Sequence, residues 1–153
     1  MDTAPSPKLA LRTAPYEGQQ ATAAVDAFVR ELPPLLFARR GVVIPVPVWV
    51  QDESVSFGMG MLEAEGRVLG AFLLTQSQDA LRLLEEHAAE LLAPEMVAYF
   101  LVKLRTSWPA LISAVEQRFT PDALTAVLRD RLRRGDSVRD LVSTLETILA
   151  ETV

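Results

Sequence analysis

The chain has 153 residues, half of them apolar and 23% charged, with a net charge of −5 and no cysteine. That length suits one domain, or two small lobes on a shared core. It excludes disulfides, thiolate metal ligands and a cysteine nucleophile, and the acidic balance argues against non-specific binding to nucleic acid or an anionic membrane.

Met1-Asp2-Thr3-Ala4-Pro5 lacks the basic and apolar stretches of a signal peptide, and residues 1–7 read as a flexible leader. Lys8 to Thr13 alternates polar and apolar residues, as a strand does. From Ala21 to Arg40 the apolar residues Val25, Phe28, Val29 and Leu32 have helical spacing. Pro33-Pro34 removes two backbone donors and is expected to kink or restart that helix, and Gly41 ends it. Gly41 to Val50 is the longest apolar run, but it holds Pro45 and Pro47 and is about half of the ~20 residues a membrane span needs. A soluble protein without direct membrane insertion is therefore expected.

Val46 to Gln51 reads as a second strand. Ser56 to Glu63 and Arg67 to Leu74 read as a hairpin whose tip is Ala64-Glu65-Gly66. The pattern changes at Thr75-Gln76-Ser77, and everything beyond reads as helix. Leu81, Leu84, Ala88, Leu91 and Leu92 make one face of a helix over about 78–93. Pro94 opens the next, Trp108-Pro109 breaks it, and Leu111, Ile112, Val115 and Phe119 follow. Thr120-Pro121-Asp122 starts a helix that Gly135 stops. Ser137, with Asp140 three residues on, is expected to cap a last helix with a wide apolar stripe from Val138 to Leu149.

Little in this pattern can carry chemistry. His87 is the only histidine. Glu86 and Glu90 lie near it, but no second histidine motif completes a metal site. Gly58-Met59-Gly60 lacks the third glycine and the lysine of a phosphate loop, so small strand residues where another backbone or a bulky neighbour approaches are the simpler reading. Arg129, Arg131, Arg133 and Arg134 form a basic run broken by Asp130. Without interleaved aromatics it fits a helix C-terminus or an acidic protein partner better than nucleic acid. No nucleophile elbow occurs, and the adjacent carboxylates Asp52-Glu53 and Glu85-Glu86 point apart on regular elements. Arg139 sits where a cation opposes the helix dipole. It is expected to bond to another helix or another subunit, or to bridge back to the preceding helix.

Three segments resemble the cytosolic domain of the type III secretion and flagellar export-gate proteins, the FHIPEP family. They are His87-Ala88-Ala89-Glu90-Leu91-Leu92, Trp108-Pro109-Ala110-Leu111-Ile112, and Leu124 through Leu149 with Val138-Arg139-Asp140-Leu141 and Thr144-Leu145-Glu146. Leu35-Leu36-Phe37 leading to Gly41-Val42 and Pro45 is similar more loosely. The resemblance implies a reduced, soluble form without the family's membrane domain. It keeps the first and third subdomains, with Thr75 to Gln78 standing where the family inserts another.

These readings give an α+β fold, a small β-α-β-β-β lobe over 8–75 followed by a lobe of about five short helices over 78–150. The resemblance implies a non-enzymatic protein-interaction module with no catalytic, cofactor or metal residues, working in secretion-apparatus assembly or export. The alternative is a stand-alone adaptor in another bacterial multi-protein system. Expected partners are secretion-apparatus proteins or export cargo with chaperones, and a homo-oligomer is open; nucleic acid is not expected. The expected location is cytoplasmic, with a place beside a membrane secretion complex open. Contact is assigned to Arg133, Arg134, Arg139, Asp140 and Glu146, and to an exposed edge strand near residues 8–13.

Overall fold

Period-two patterning ends near residue 74, and the helical period takes over from there. In the computed structural model, which describes residues 8–151, this produces a four-stranded mixed sheet and seven helices, an α+β fold. The leader expected over 1–7 lies outside the described residues. The first part is β1 (Leu9–Thr13), α1 (Gln19–Arg40), β2 (Val48–Gln51), β3 (Met59–Ala64) and β4 (Arg67–Leu73). Then come α2 (Ser77–Glu86), α3 (Ala88–Leu91), α4 (Pro94–Arg105), α5 (Pro109–Arg118), α6 (Pro121–Arg133) and α7 (Leu141–Glu151). Among the described residues no helix is long and apolar enough to cross a membrane.

The strand order is β2-β1-β3-β4. α1 carries the chain from β1 to the parallel strand β2, and β3 pairs antiparallel with β1 on its other side. β1 is thus an interior strand, not the exposed edge expected near residues 8–13. Alternation alone does not separate the two cases: Leu9, Leu11 and Thr13 are buried beneath the helices whichever neighbours β1 has. The sheet edges are β2 and β4. The β3–β4 hairpin turns at Glu65 and Gly66, with φ of 51° and 79°, the two positive values of a tight primed turn.

α1 runs through Pro33-Pro34 as one helix. The pair leaves the carbonyls of Val29 and Arg30 without their usual helical donors. The buried row Val25, Val29, Leu32 and Leu36 nevertheless holds both halves of the helix on one core face. The helix expected over 78–93 divides at His87, whose Nδ1 lies 2.9 Å from the Leu83 carbonyl oxygen. Six helices therefore follow the sheet. Gly60 leaves room for the Phe72 ring, which an added Cβ would approach to 2.7 Å, so the small-residue reading of Gly58-Met59-Gly60 holds at Gly60; Gly58 precedes β3 with a φ of 84°, and a side chain there would meet nothing.

α6 starts as its sequence signals, with the Thr120 hydroxyl accepting from the Ala123 N–H at 3.1 Å. α7 starts later than expected. Ser137 accepts from the Arg139 N–H at 3.1 Å within the turn, and Asp140 is the cap, accepting from the Ser143 N–H at 3.1 Å. Arg139 and Asp140 thus precede the last helix instead of lying in its first turn. Tertiary packing sets the delay: the Val138 N–H donates to the Arg40 carbonyl at 2.9 Å, and Val138 is buried. A single apolar cluster runs from Leu11 and Leu62 on the sheet through Leu36 and Leu84 to Met96, Leu128, Leu145 and Ile148.

Candidate protein-interaction site

The end of α1 fixes the site. Gly41 takes a left-handed φ of 78° and returns its N–H to the Phe37 carbonyl at 2.8 Å. The backbone of residues 138–139 lies where a side chain would be: a Cβ on Gly41 would sit 2.2 Å from the Arg139 nitrogen. Arg40, beside it, donates to Glu85 of α2 at 3.2 Å and to the Gly135 carbonyl in the α6–α7 connection. One arginine therefore ties α1 to α2 and to the turn that precedes α7.

The five residues expected to touch partners surround this junction unequally. Arg139 and Asp140 share the turn, and both are exposed. The Arg139 guanidinium lies 5.9 Å from the centre of the Phe37 ring, so its intramolecular neighbour is an aromatic of α1, not an acid of α6. The Asp140 carboxylate is engaged as the α7 cap. Arg133 pairs with Asp130 one turn back, at 3.4 Å. Arg134 is exposed at the end of α6. Glu146 is exposed on α7, six residues beyond Asp140 and so about 9 Å further along the helix.

The basic run of α6 is not one surface. Helical rotation turns Arg129 inward to donate to the Leu92 carbonyl at 3.0 Å. Arg131, whose side chain is only 15% exposed, reaches Glu151 of α7 at 2.7 Å. Two of the four arginines thus fasten α6 to its neighbours. Among the described residues, no three His, Asp or Glu side chains gather as a cation would require.

Two further exposed features are not among the contact residues expected from the sequence. The first is an apolar groove of about 170 Å³ lined by Phe37, Leu92, Phe100, Leu104, Leu128 and Leu141, with Lys103 and Arg139 also on its wall. Its residues come from α1, α3–α4, α6 and α7, so only the tertiary fold assembles it. The second is Phe57, 80% exposed in the β2–β3 loop. The Tyr16 ring packs against it at a tilt of 45°, 5.1 Å between centres, and the Tyr16 hydroxyl accepts the Gly58 N–H at 3.0 Å. In the same loop Asp52 accepts from the hydroxyl and the N–H of Ser54, and these bonds, with Arg12 beside it, hold its carboxyl below the ordinary range.

No protein-family profile matches the chain, and no curated protein matches it by sequence. Solved structures match it by fold. The Shigella flexneri MxiA protein superposes with a TM-score of 0.79 at 14% identity, over 94% of this chain and 56% of its own. The Chlamydia pneumoniae CdsV and CdsO protein complex matches with a TM-score of 0.79 at 11% identity, over 97% and 61%. The nonameric EPEC SctV-C matches with a TM-score of 0.69 at 10% identity, over 93% and 59%. These neighbours are cytosolic domains of type III secretion export-gate proteins. At such identities the likeness establishes the fold, and this chain spans 56–61% of each neighbour's length.

Proposed function

We propose that the chain is a non-enzymatic protein-interaction module that works in a type III secretion apparatus or in its assembly. The observation that carries this reading is the fold likeness to export-gate cytosolic domains over 93% or more of the chain. Two facts about those neighbours support protein partners: one was solved with CdsO and another is a nonamer. The partners of this chain are accordingly secretion-apparatus subunits or export cargo with chaperones, and self-association belongs to the same reading. The division into a sheet-bearing lobe over 8–75 and a helical lobe over 78–150 follows the first and third subdomains of the FHIPEP family.

The contact surface proposed is the exposed rim formed by Arg133, Arg134, Arg139, Asp140 and Glu146. Rim charges of this kind steer and select partners more than they add affinity. The test is crosslinked affinity capture from the native host, comparing the unaltered protein with an Arg134→Glu, Arg139→Glu variant. Secretion-apparatus proteins should be recovered with the former and depleted about tenfold with the latter. Asp140→Asn is an informative companion, because asparagine still caps a helix but carries no charge; lost capture with unchanged thermal stability would mark a contact role. Recovery of proteins from an unrelated assembly, with no secretion component, would favour the stand-alone adaptor.

A further inference from the structure

We infer that the free edge of β2 is a docking site for an extended segment of a partner protein, which adds to the four-stranded sheet as one more strand. The segment alternates β-branched apolar residues and carries a lysine or arginine at its end. The inference rests on the interaction-module reading and names a second contact surface, with the chemistry of what binds it.

The backbone sets the kind of partner. β2 ends the sheet on one side. In a parallel pair the N–H and C=O of one residue point to the same side, and successive residues alternate. Asp52 donates its N–H to the Thr13 carbonyl at 2.8 Å, so Val50 and Val48 also face β1. The N–H and C=O groups of Trp49 and Gln51 therefore point away from the sheet. Among the described residues no hydrogen bond from another segment reaches them. Their two-residue spacing is the repeat at which a further strand pairs, whereas Pro47 has no N–H and ends the pairing stretch. The edge is also held in place before anything docks, because the Trp49 indole N–H donates to the Thr13 hydroxyl at 2.8 Å on the core side.

The opposite edge of the sheet is guarded. The Leu73 carbonyl of β4 already accepts the Gln76 N–H at 2.8 Å, and the β3–β4 ladder is irregular between Leu62 and Glu63. Bulges, turns and charges are the usual protection of a sheet edge. β2 lacks a charge altogether, since Gly41 to Gln51 contains no ionisable side chain. Val46 and Val48 are instead 46% and 64% exposed, and β-branched residues on an added strand would cover them. The acidic pair Asp52-Glu53 follows directly. Arg12 engages Asp52 at 3.3 Å, but Glu53 is exposed and has no cation among the described residues. A basic residue at the end of the added segment finds its counter-charge there.

The test uses the whole chain and a fluorescein-labelled synthetic peptide in which valine and threonine alternate between a lysine at each end. Fluorescence anisotropy should show saturable binding. Gln51→Pro puts a ring where the outward N–H was and spares the ladder with β1, and its affinity for the peptide should be about tenfold lower. Glu53→Lys should weaken binding about threefold at low salt, and a peptide with glutamates in place of the lysines should prefer that variant. Should Gln51→Pro lose its circular dichroism, Val48→Lys takes its place, because lysine on an edge strand opposes pairing. Hydrogen exchange reads the backbone of the unaltered chain without any variant: the Trp49 and Gln51 amides should exchange freely alone and about tenfold more slowly with saturating peptide. No saturable binding, equal binding by the folded edge variant, or unchanged exchange at both amides overturns the inference. So does slow exchange that sets in with protein concentration alone, which would give the edge to a second copy. None of these results alters capture of secretion proteins through the rim around Arg134 and Arg139, so the two readings fail separately.

Discussion

Gly41 and Gly66 have nearly the same φ, 78° and 79°, yet they sit in opposite surroundings. A side chain on Gly66 would meet nothing, whereas one on Gly41 would enter the backbone of residues 138–139. The first glycine serves a local turn at the hairpin tip. The second lets two distant stretches of chain touch. The comparison separates a closed contact, the backbone of residues 138–139 against the end of α1, from surfaces left open, such as the exposed β-strand residues Val48 and Val68 and the loop carrying Phe57.

The largest expected effect comes from closing the space at Gly41. Gly41→Ala should cost about 4 kcal/mol or more, since both the left-handed strain and a backbone clash act. Gly66→Ala bears only the strain, about 1 kcal/mol. Urea denaturation of the two variants measures the difference, and equal losses would mean that residues 138–139 are not held against α1. Next in size is Arg40→Met, which keeps the packed stem but removes the bonds to Glu85 and Gly135. A loss of about 2 kcal/mol is expected in the same measurement.

The smallest effect lies at the open end. Because the folded Asp52 carboxyl is held below its ordinary value by Ser54 and Arg12, its stabilising contribution is complete above about pH 3.9 and is lost as pH falls through the folded value. Asp52→Asn should therefore be slightly less stable than the unaltered chain at pH 7, and the gap should shrink below pH 4. A gap that persists in acid would assign the effect to packing instead of charge.

How far the fold was legible depends on how local its causes are. The β3–β4 hairpin and the start of α6 are set by neighbours in sequence, Glu65-Gly66 and Thr120-Pro121-Asp122, and both form as their residues signal. The β-α-β-β-β order was legible too, because strand and helix periods alternate clearly. The place of β1 in the sheet was not, since alternation is the same for an interior and an edge strand. The α7 start was misplaced because Val138 is claimed by Arg40, nearly a hundred residues away. Of the expected contact residues, Arg139 and Asp140 do share one exposed turn. The groove between them and α1 joins residues as distant as Phe37 and Leu141, and no short pattern announces such a meeting. Phe57 was within reach: a phenylalanine between Ser56 and Gly58 in a polar loop has little nearby to cover it.

The central structural claim is that the α6–α7 turn and α7 are fastened to the α1 end, so that both halves of the chain behave as one body with its contact surfaces fixed in place. Native-state hydrogen exchange tests this directly at three amides: Val138, which donates to Arg40, Leu145 in the buried face of α7, and Leu11 in the middle of the sheet. All three should exchange with the same free energy and the same dependence on denaturant. If Val138 and Leu145 open at a markedly lower free energy while Leu11 stays protected, the last helix detaches independently and the account fails.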